Sequence, residues 1–397
     1  MESDAERLQN LRVALVQRRS VALDTVRVVV SPYRVCPLGA HIDHQHGPVL
    51  GMAIGLGTRL AYAPAPDAEV CLESADFSDE VRFSLSEVAD DGVDWGRYAR
   101  AAAAVLADRL PRAPRGCIGV LSGDLPGGGL SSSASVLVAY LLALADVNGL
   151  ELSQRELVNL ARRAENAFVG VQSGVLDPAS VVGARRGQLL EIGTRDLCWR
   201  ALESGAAAPE TRFVVVFSGR GRNLARTPFN ARVAECRAAA ARIAAAGGLG
   251  PVDALGDLPE DLLADRLEDL PPSERGRARH FVGERDRVRR GVAAWERGDL
   301  VAFGRLMSES CRSSIENYET GSEEQREIQE ILSATPGVLG SRFSGAGYGG
   351  CNVALVLAGE ADAIGRRVLA EYRQRVPELA AEARAFAVDS VDGARIR

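Results

Sequence analysis

The stretch "LPGGGLSSSAS", residues 125 to 135, limits what this chain can fold into more than any other. It follows "GCIGVLSGD", a β-branched and apolar run that reads as a strand. Beyond it, Leu137, Tyr140, Leu141 and Leu144 recur at helical spacing. A strand therefore turns through Gly127, Gly128 and Gly129 into a helix. Three glycines without Cβ atoms let backbone N–H groups converge on an anion. Ser131, Ser132 and Ser133 open the helix, where the positive end of the dipole and the orphan N–H groups favour phosphate. A serine hydroxyl at that place is also a magnesium ligand. The plainer reading, a flexible turn ending in a serine cap, fits the strand–turn–helix context less well.

Composition narrows the chemistry. The 397 residues contain 47 basic side chains, and every one is arginine. Without lysine there is no Walker A loop and no strand lysine of the protein-kinase type. Phosphate charge must then be met by backbone N–H groups, a helix end, a metal and arginine. The net charge of −6 gives no reason to expect nucleic acid. No apolar run is long enough to span a bilayer. The start, "MESDAERLQN", shows no signal peptide, so the expected location is the cytoplasm. Seven scattered cysteines read as reduced thiols.

The length suggests two domains, with a boundary in the small, glycine- and proline-containing "ALESGAAAPET". "VRVVVSPYRV" reads as a strand and "VLGMAIGLGTRLAYAPA" as further strands broken by glycine. "DWGRYARAAAAVLADRL" reads as a helix opened by Asp94. Ser153 and Glu156 form a capping box for another. Residues 279 to 318 and 322 to 334 look helical. "GAGYGG" (345–350) matches the dinucleotide fingerprint, but a strand follows it where the fingerprint needs a helix. A glycine turn between two strands, supporting the phosphate site by close backbone approach, is the better reading.

"SPYRVCPLGAHIDHQHG" (31–47) gathers one arginine, one aspartate and three of the four histidines. If the segment is extended, His41, Asp43 and Gln45 face one way and His44 and His46 the other. One face then offers a single histidine and a single carboxylate, too few for zinc. In "AENAFVGVQSGVLDP", Glu165 lies in a helix and Asp177 follows a glycine turn, as a turn residue or as a carboxylate poised at a cleft.

Together, "SPYRVCPLGAHIDHQHG", "LPGGGLSSSAS" and "GSRFSGAGYGGCNVAL", with echoes in "DWGRYA", "RRAENAFVGVQSGVLDPASVVG" and "GDLVAFGRLMSES", resemble the GHMP kinase superfamily and its galactokinase branch. The resemblance implies an α+β, two-domain fold with the active site in the interdomain cleft. Residues 1–203 would form a ribosomal S5 domain 2-like N-terminal domain and residues 204–397 a ferredoxin-like C-terminal one. It implies that Arg34 and Asp177 form the catalytic pair. It gives Pro126, Gly127, Gly128, Gly129, Leu130, Ser131, Ser132 and Ser133 to the phosphates of ATP, and Ser133 with Glu165 to Mg²⁺. Ala40, His41, Asp43, Gly174, Phe229 and Asn230 fall on sugar-contacting positions. An arginine beside Asp177 favours the ionised carboxylate and weakens it as a base, so proton abstraction and mere orientation of the hydroxyl both stay open.

Two departures from the galactokinase pattern point to the substrate. Galactokinases typically carry glutamate at the position of Ala40, where it accepts a hydrogen bond from the hydroxymethyl end of the sugar. Alanine removes the repulsion a C6 carboxylate would meet there. Phe229 replaces a usual tyrosine. Arg220, Arg222, Arg226 and Arg232 lie nearby, and arginine meets a carboxylate bidentately. The first motif is most similar to the galacturonokinases. The expectation is an ATP- and Mg²⁺-dependent kinase of the anomeric hydroxyl of D-galacturonate, a monomer or weak oligomer acting on a small sugar without membrane or nucleic acid. A galactokinase, a kinase for another uronate such as glucuronate, and a non-catalytic sugar and ATP sensor are the competing readings. The intact glycine–serine loop and Asp177 weigh against the sensor.

Overall fold

A computed structural model describes residues 4–88, 95–125, 127–221 and 227–397. After helix α1 (Asp4–Arg19), strands β1 (Arg27–Val35), β2 (Val49–Pro64), β3 (Glu69–Ser74) and β4 (Val81–Ser84) lead to α2 (Arg97–Leu106) and β5 (Cys117–Gly123). Helices α3 (Ser132–Val147), α4 (Gln154–Ala164) and α5 (Leu176–Gly183) precede β6 (Leu189–Gly193) and β7 (Cys198–Leu202). Strand β8 (Thr211–Phe217) is followed by α6 (Phe229–Ala246), α7 (Glu260–Arg266), α8 (Pro272–Glu296), α9 (Leu300–Glu316) and α10 (Glu323–Ala334). The chain then runs through β9 (Val338–Phe343), β10 (Cys351–Leu357), α11 (Ala361–Arg375), β11 (Arg384–Val388) and β12 (Arg395–Ile396).

Among the described residues, one sheet has the order β12-β1-β2-β5-β3-β4, with β6 joined to β2 and β7 to β6. The second has the order β11-β8-β10-β9, antiparallel throughout. With helices between β8 and β9 and α11 between β10 and β11, this is the ferredoxin-like order. The expected boundary at 203/204 falls between β7 and β8, yet β12 crosses back to pair with β1 through Val29 and Ile396. One apolar cluster joins the two sheets, with Val35, Leu38 and Leu50 packed together with Val215, Phe303 and Leu355. Burying that shared surface holds the cleft walls in register.

Local sequence accounts for much of this. Leu137, Tyr140, Leu141 and Leu144 are buried on α3. Ser153 and Glu156 close their capping box on α4. Gly247 and Gly248 follow the end of α6. Three expectations need correction. The expected glycine-broken strands are one 16-residue strand, β2. Its register with β1 shifts at Pro32/Tyr33, and a Cβ on Gly57 would lie 2.4 Å from the Ser31 carbonyl oxygen. The glycine makes room for a bulge instead of ending the strand. The helical stretch expected over residues 279 to 318 divides into α8 and α9, and only its break departs from helix, where Gly298 takes a φ of 73° and Asp299 caps the next turn through Ala302 N. "HIDHQH" is not extended: His41 and His46 take left-handed φ of 63° and 60° around a short 3₁₀ turn at Asp43–Gln45. Asp94, the expected opener of α2, lies outside the described residues, as do Pro126, Arg222 and Arg226.

Candidate active site

Strand β1 delivers Arg34 to the cleft. Its backbone N–H donates to the Leu130 carbonyl at 3.1 Å, tying the sheet to the glycine–serine loop. In that loop Gly127 and Gly129 take φ of 72° and 79°, and Ser131 is left-handed at 63°. The Ser131 hydroxyl is buried with no hydrogen-bond partner among the described residues. Such a group calls for a ligand or water to satisfy it. The Gly127 N–H donates to the Ser132 hydroxyl at 3.1 Å, and the first-turn N–H groups of α3 have no acceptor within the helix. A Cβ on Gly350 would meet the Gly128 carbonyl at 2.5 Å, so the second glycine turn packs directly on the first. "GAGYGG" is a turn between β9 and β10, as expected.

The Arg34 side chain is 3% exposed and Asp177 is 24% exposed, and both line the cavity, with the carboxylate the more open of the two. Both Nε and Nη2 of Arg34 lie 2.7 Å from Asp177 Oδ1, and Nη1 donates to the Ser344 hydroxyl at 3.2 Å. Asp177 sits in the first turn of α5. Beside it, α4 widens into a single π-type turn, Glu165–Val169. Such turns recur at functional sites. The Ser133 hydroxyl donates to Glu165 Oε1 at 2.7 Å, and the Ser173 hydroxyl donates to the other oxygen. Burial, reinforced by the Asp177 charge, raises the pKa of Glu165. A buried carboxylate beside a hydroxyl, held against its own desolvation cost, is a donor set suited to a hard cation such as Mg²⁺.

Asp43 faces the same cavity. Its Oδ2 accepts from the Leu176 N–H at 3.2 Å, and burial followed by the Asp177 charge pushes its pKa up to about 6. A Cβ on Gly174 would lie 2.2 Å from that oxygen, so only glycine fits there. His41 stacks on Tyr318 with ring centroids 4.4 Å apart. Phe229 closes another side, edge-on to His44 at 6.0 Å. The Leu255 N–H fixes the Gln45 amide, whose Nε2 donates to His44 Nδ1 at 3.0 Å. His44 Nε2 therefore carries the hydrogen and donates to the Tyr318 hydroxyl at 2.9 Å. Burial lowers its pKa to about 3, so His44 is a neutral structural residue. His46 turns outward to Asp257. Two of the motif's three histidines thus meet Tyr318, one on its ring and one at its hydroxyl, and the third turns to the surface.

Ala40 lines the cavity and is held from behind. Its N–H donates to Glu284 Oε1 at 3.3 Å, and its carbonyl accepts from His280 Nε2 at 2.8 Å. One expected sugar contact is corrected. Asn230 is exposed and is not among the cavity-lining residues. Its amide is spent on Gln172 N–H and the Gly170 carbonyl, at 3.0 and 2.9 Å. Of the four arginines, Arg220 pairs with Glu324, and Arg232 with Glu235 and Glu319; neither lines the cavity. Ser173 and Arg342 are polar cavity residues outside the expected set. Ser173 stands four places before Asp177 in the same glycine turn, a signal that was there to use. Arg342, on β9, is 300 residues from the first motif and only the fold brings it in.

The comparisons with known proteins agree with this geometry. Residues 97–184 match the GHMP kinases N terminal domain, residues 292–374 the GHMP kinases C terminal domain, and residues 20–64 the galactokinase galactose-binding signature. A galacturonokinase of Arabidopsis thaliana is 38% identical over 95% of this chain and 94% of its own. A galactokinase of Roseiflexus sp. is 38% identical over 83% of each. The chain belongs to the GHMP kinases, in their galactokinase branch. The crystal structure of Lactococcus lactis galactokinase complexed with galactose superposes with a TM-score of 0.89, at 27% identity, over 98% of this chain and 99% of that one. A mevalonate kinase structure, 18% identical with a TM-score of 0.62, shares the fold. This GHMP kinase is a sugar kinase of the galactokinase and galacturonokinase type. Among the described residues, no helix is long and apolar enough to cross a membrane.

Proposed function

We propose that this kinase transfers the γ-phosphoryl group of ATP to the anomeric hydroxyl of D-galacturonate, giving α-D-galacturonate 1-phosphate and ADP. The observation that carries the reading is Ala40. It stands in the cavity wall where the branch pattern has a glutamate, and it leaves space and no negative charge. The galacturonokinase of Arabidopsis thaliana, related over nearly the full length, supports the same choice.

The residues divide the work. The glycine loop and the start of α3 receive the phosphates. Phe77 and Trp95, stacked with centroids 6.2 Å apart where Asp76 holds Gly123 N–H at 2.7 Å, offer an aromatic face to the adenine. Ser133 and Glu165 would hold Mg²⁺, which when bound neutralises charge on the β- and γ-phosphates. Asp177 accepts the hydrogen bond of the anomeric hydroxyl, aims its oxygen at the γ-phosphorus and receives the proton as the new P–O bond forms. Arg34 fixes Asp177 and answers charge that develops on the transferred group. Asp43, Gly174 and Phe229 bound the sugar.

The test is kcat/KM for galacturonate, galactose and glucuronate with saturating ATP and Mg²⁺. Galacturonate should lead. Galactose leading by a wide margin would leave a galactokinase and end the uronate assignment.

A further inference from the structure

The wall behind Ala40 holds more positive charge than negative. Glu284 is fully buried, and the guanidiniums of Arg287 and Arg342 outweigh that burial and lower its pKa to about 2, so it is ionised. Its oxygens are already taken. Oε1 accepts from Gly39 N–H at 2.8 Å, Ala40 N–H at 3.3 Å and the Ser310 hydroxyl at 2.6 Å, and Oε2 accepts from Arg287 Nε at 2.7 Å. Arg287 is its direct ion-pair partner. Arg342 is a second guanidinium at the same place, 1% exposed and lining the cavity. It touches Glu284 only at 3.9 Å and otherwise through Ser310, whose hydroxyl accepts from Arg342 Nη1 at 2.6 Å. Nε of Arg342 donates to the Phe343 carbonyl at 3.0 Å, and Nη2 has no hydrogen-bond partner among the described residues. No other carboxylate among them lies within 4 Å of it. His280 adds no charge, because burial lowers its pKa to about 4. Two guanidiniums therefore share one carboxylate, a costly arrangement in a buried wall unless something supplies the missing negative charge.

A glutamate at position 40 would supply it, and alanine does not. We infer that Arg342 is the specificity-determining residue for the substrate's C6 carboxylate, which takes the place of the absent side-chain carboxylate at position 40; the inference rests on the uronate reading above. The cavity then sorts sugars by charge at one end while Arg34 and Asp177 do the chemistry at the other. Arg342 and Ser344 are two residues apart on one chain segment, and Ser344 contacts Arg34, so a single sugar lying along that segment reaches both ends.

The test compares wild type with Arg342→Gln and Arg342→Lys on galacturonate and galactose in parallel, with thermal melts to confirm folding. Arg342→Gln should lower kcat/KM for galacturonate by roughly 30- to 5,000-fold, the range for removing one partner of a buried charge pair, and should change galactose by less than about tenfold. Arg342→Lys should fall between. Equal losses for both sugars would overturn the inference and leave Arg342 a packing residue. If Arg342→Gln does not fold, Ala40→Glu and Ala40→Gln decide: the charged variant should cost galacturonate at least about tenfold more than its neutral isostere, and equal costs would overturn it. A wild type that prefers galactose removes the uronate reading itself. A wild type that prefers galacturonate, with Arg342→Gln hurting both sugars alike, removes only the role of Arg342.

Discussion

The two ends of the sugar cavity each present a guanidinium, and the fold treats them oppositely. Arg34 is matched one to one: two of its nitrogens lie 2.7 Å from a carboxylate that ligands can reach. Arg342 is matched at second hand, through a serine and a glutamate already engaged by Arg287. A closed pair exerts little net pull on a passing anion and serves to position groups. An open guanidinium in a desolvated wall favours ligands that bring their own negative charge. Geometry for the reaction and charge for selection are thereby assigned to different ends of one small space. The largest expected effect tests the closed end. Asp177→Ala should lower kcat by roughly a thousandfold or more, with ATP affinity by calorimetry within about threefold of wild type. Near-normal turnover would take Asp177 out of its role and leave the comparison without its chemical half.

The next effect concerns Asp43, which belongs to the closed end and titrates in reach of ordinary buffers. Its pKa is raised to about 6, first by burial and then by the Asp177 charge. A carboxylate that must be ionised to accept a sugar hydroxyl is lost as pH falls, so kcat/KM should drop about tenfold per unit below pH 6. Asp43→Asn should give a lower, flatter profile between pH 5 and 7. Stability moves the other way. The folded protein holds this proton more tightly than the unfolded chain does, so the stabilisation is complete below pH 4 and disappears as pH rises through about 6. Melting curves across that window should show the decline in wild type and not in Asp43→Asn. An acid limb unmoved by Asp43→Asn would assign it to another group, with Glu165 the first candidate.

How far each end was legible follows from how locally it is built. The phosphate loop is legible because its parts are consecutive: the strand, the glycines and the serines each state their conformation, and Gly350 against Gly128 only adds support. Arg34, Asp177 and Glu165 were reachable because each sits in a short motif with a chemical logic. The selective end was half legible. The alanine at position 40 was visible as an absence, but what the absence exposes was not. Glu284 lies 244 residues from Ala40, and no local pattern marks one charged residue on a helix crowded with them. The arginines of residues 220 to 232 stand out as carboxylate ligands only because they neighbour Phe229 in sequence. In space Arg220 and Arg232 are occupied with glutamates of their own. The turn at His41 carried no decisive signal either, since a left-handed φ is uncommon for any residue but glycine and no glycine stands there. The break in the long helix did: glycine followed by aspartate at 298 and 299 is a stop and a cap, and it was readable.

The smallest effect marks where the cavity ends. Asn230 looks like a sugar contact from its place beside Phe229, yet it clamps the backbone at residues 170 and 172 from outside. Its two hydrogen bonds are exposed, so each contributes about 1 kcal/mol at most. The segment they hold leads directly to Ser173, Gly174 and Asp177, so loosening it should blur the placement of the carboxylate without removing any group from the wall. Asn230→Ala should therefore lower kcat by less than about tenfold, leave the ratio of galacturonate to galactose unchanged, and reduce Tm by a few degrees. A rise of KM confined to the sugar, or a change in that ratio, would mean that the side chain swings in to meet the substrate. The charge asymmetry would then extend beyond the buried wall into the rim. An unchanged ratio confines selection to the wall around Ala40, where two arginines share one carboxylate.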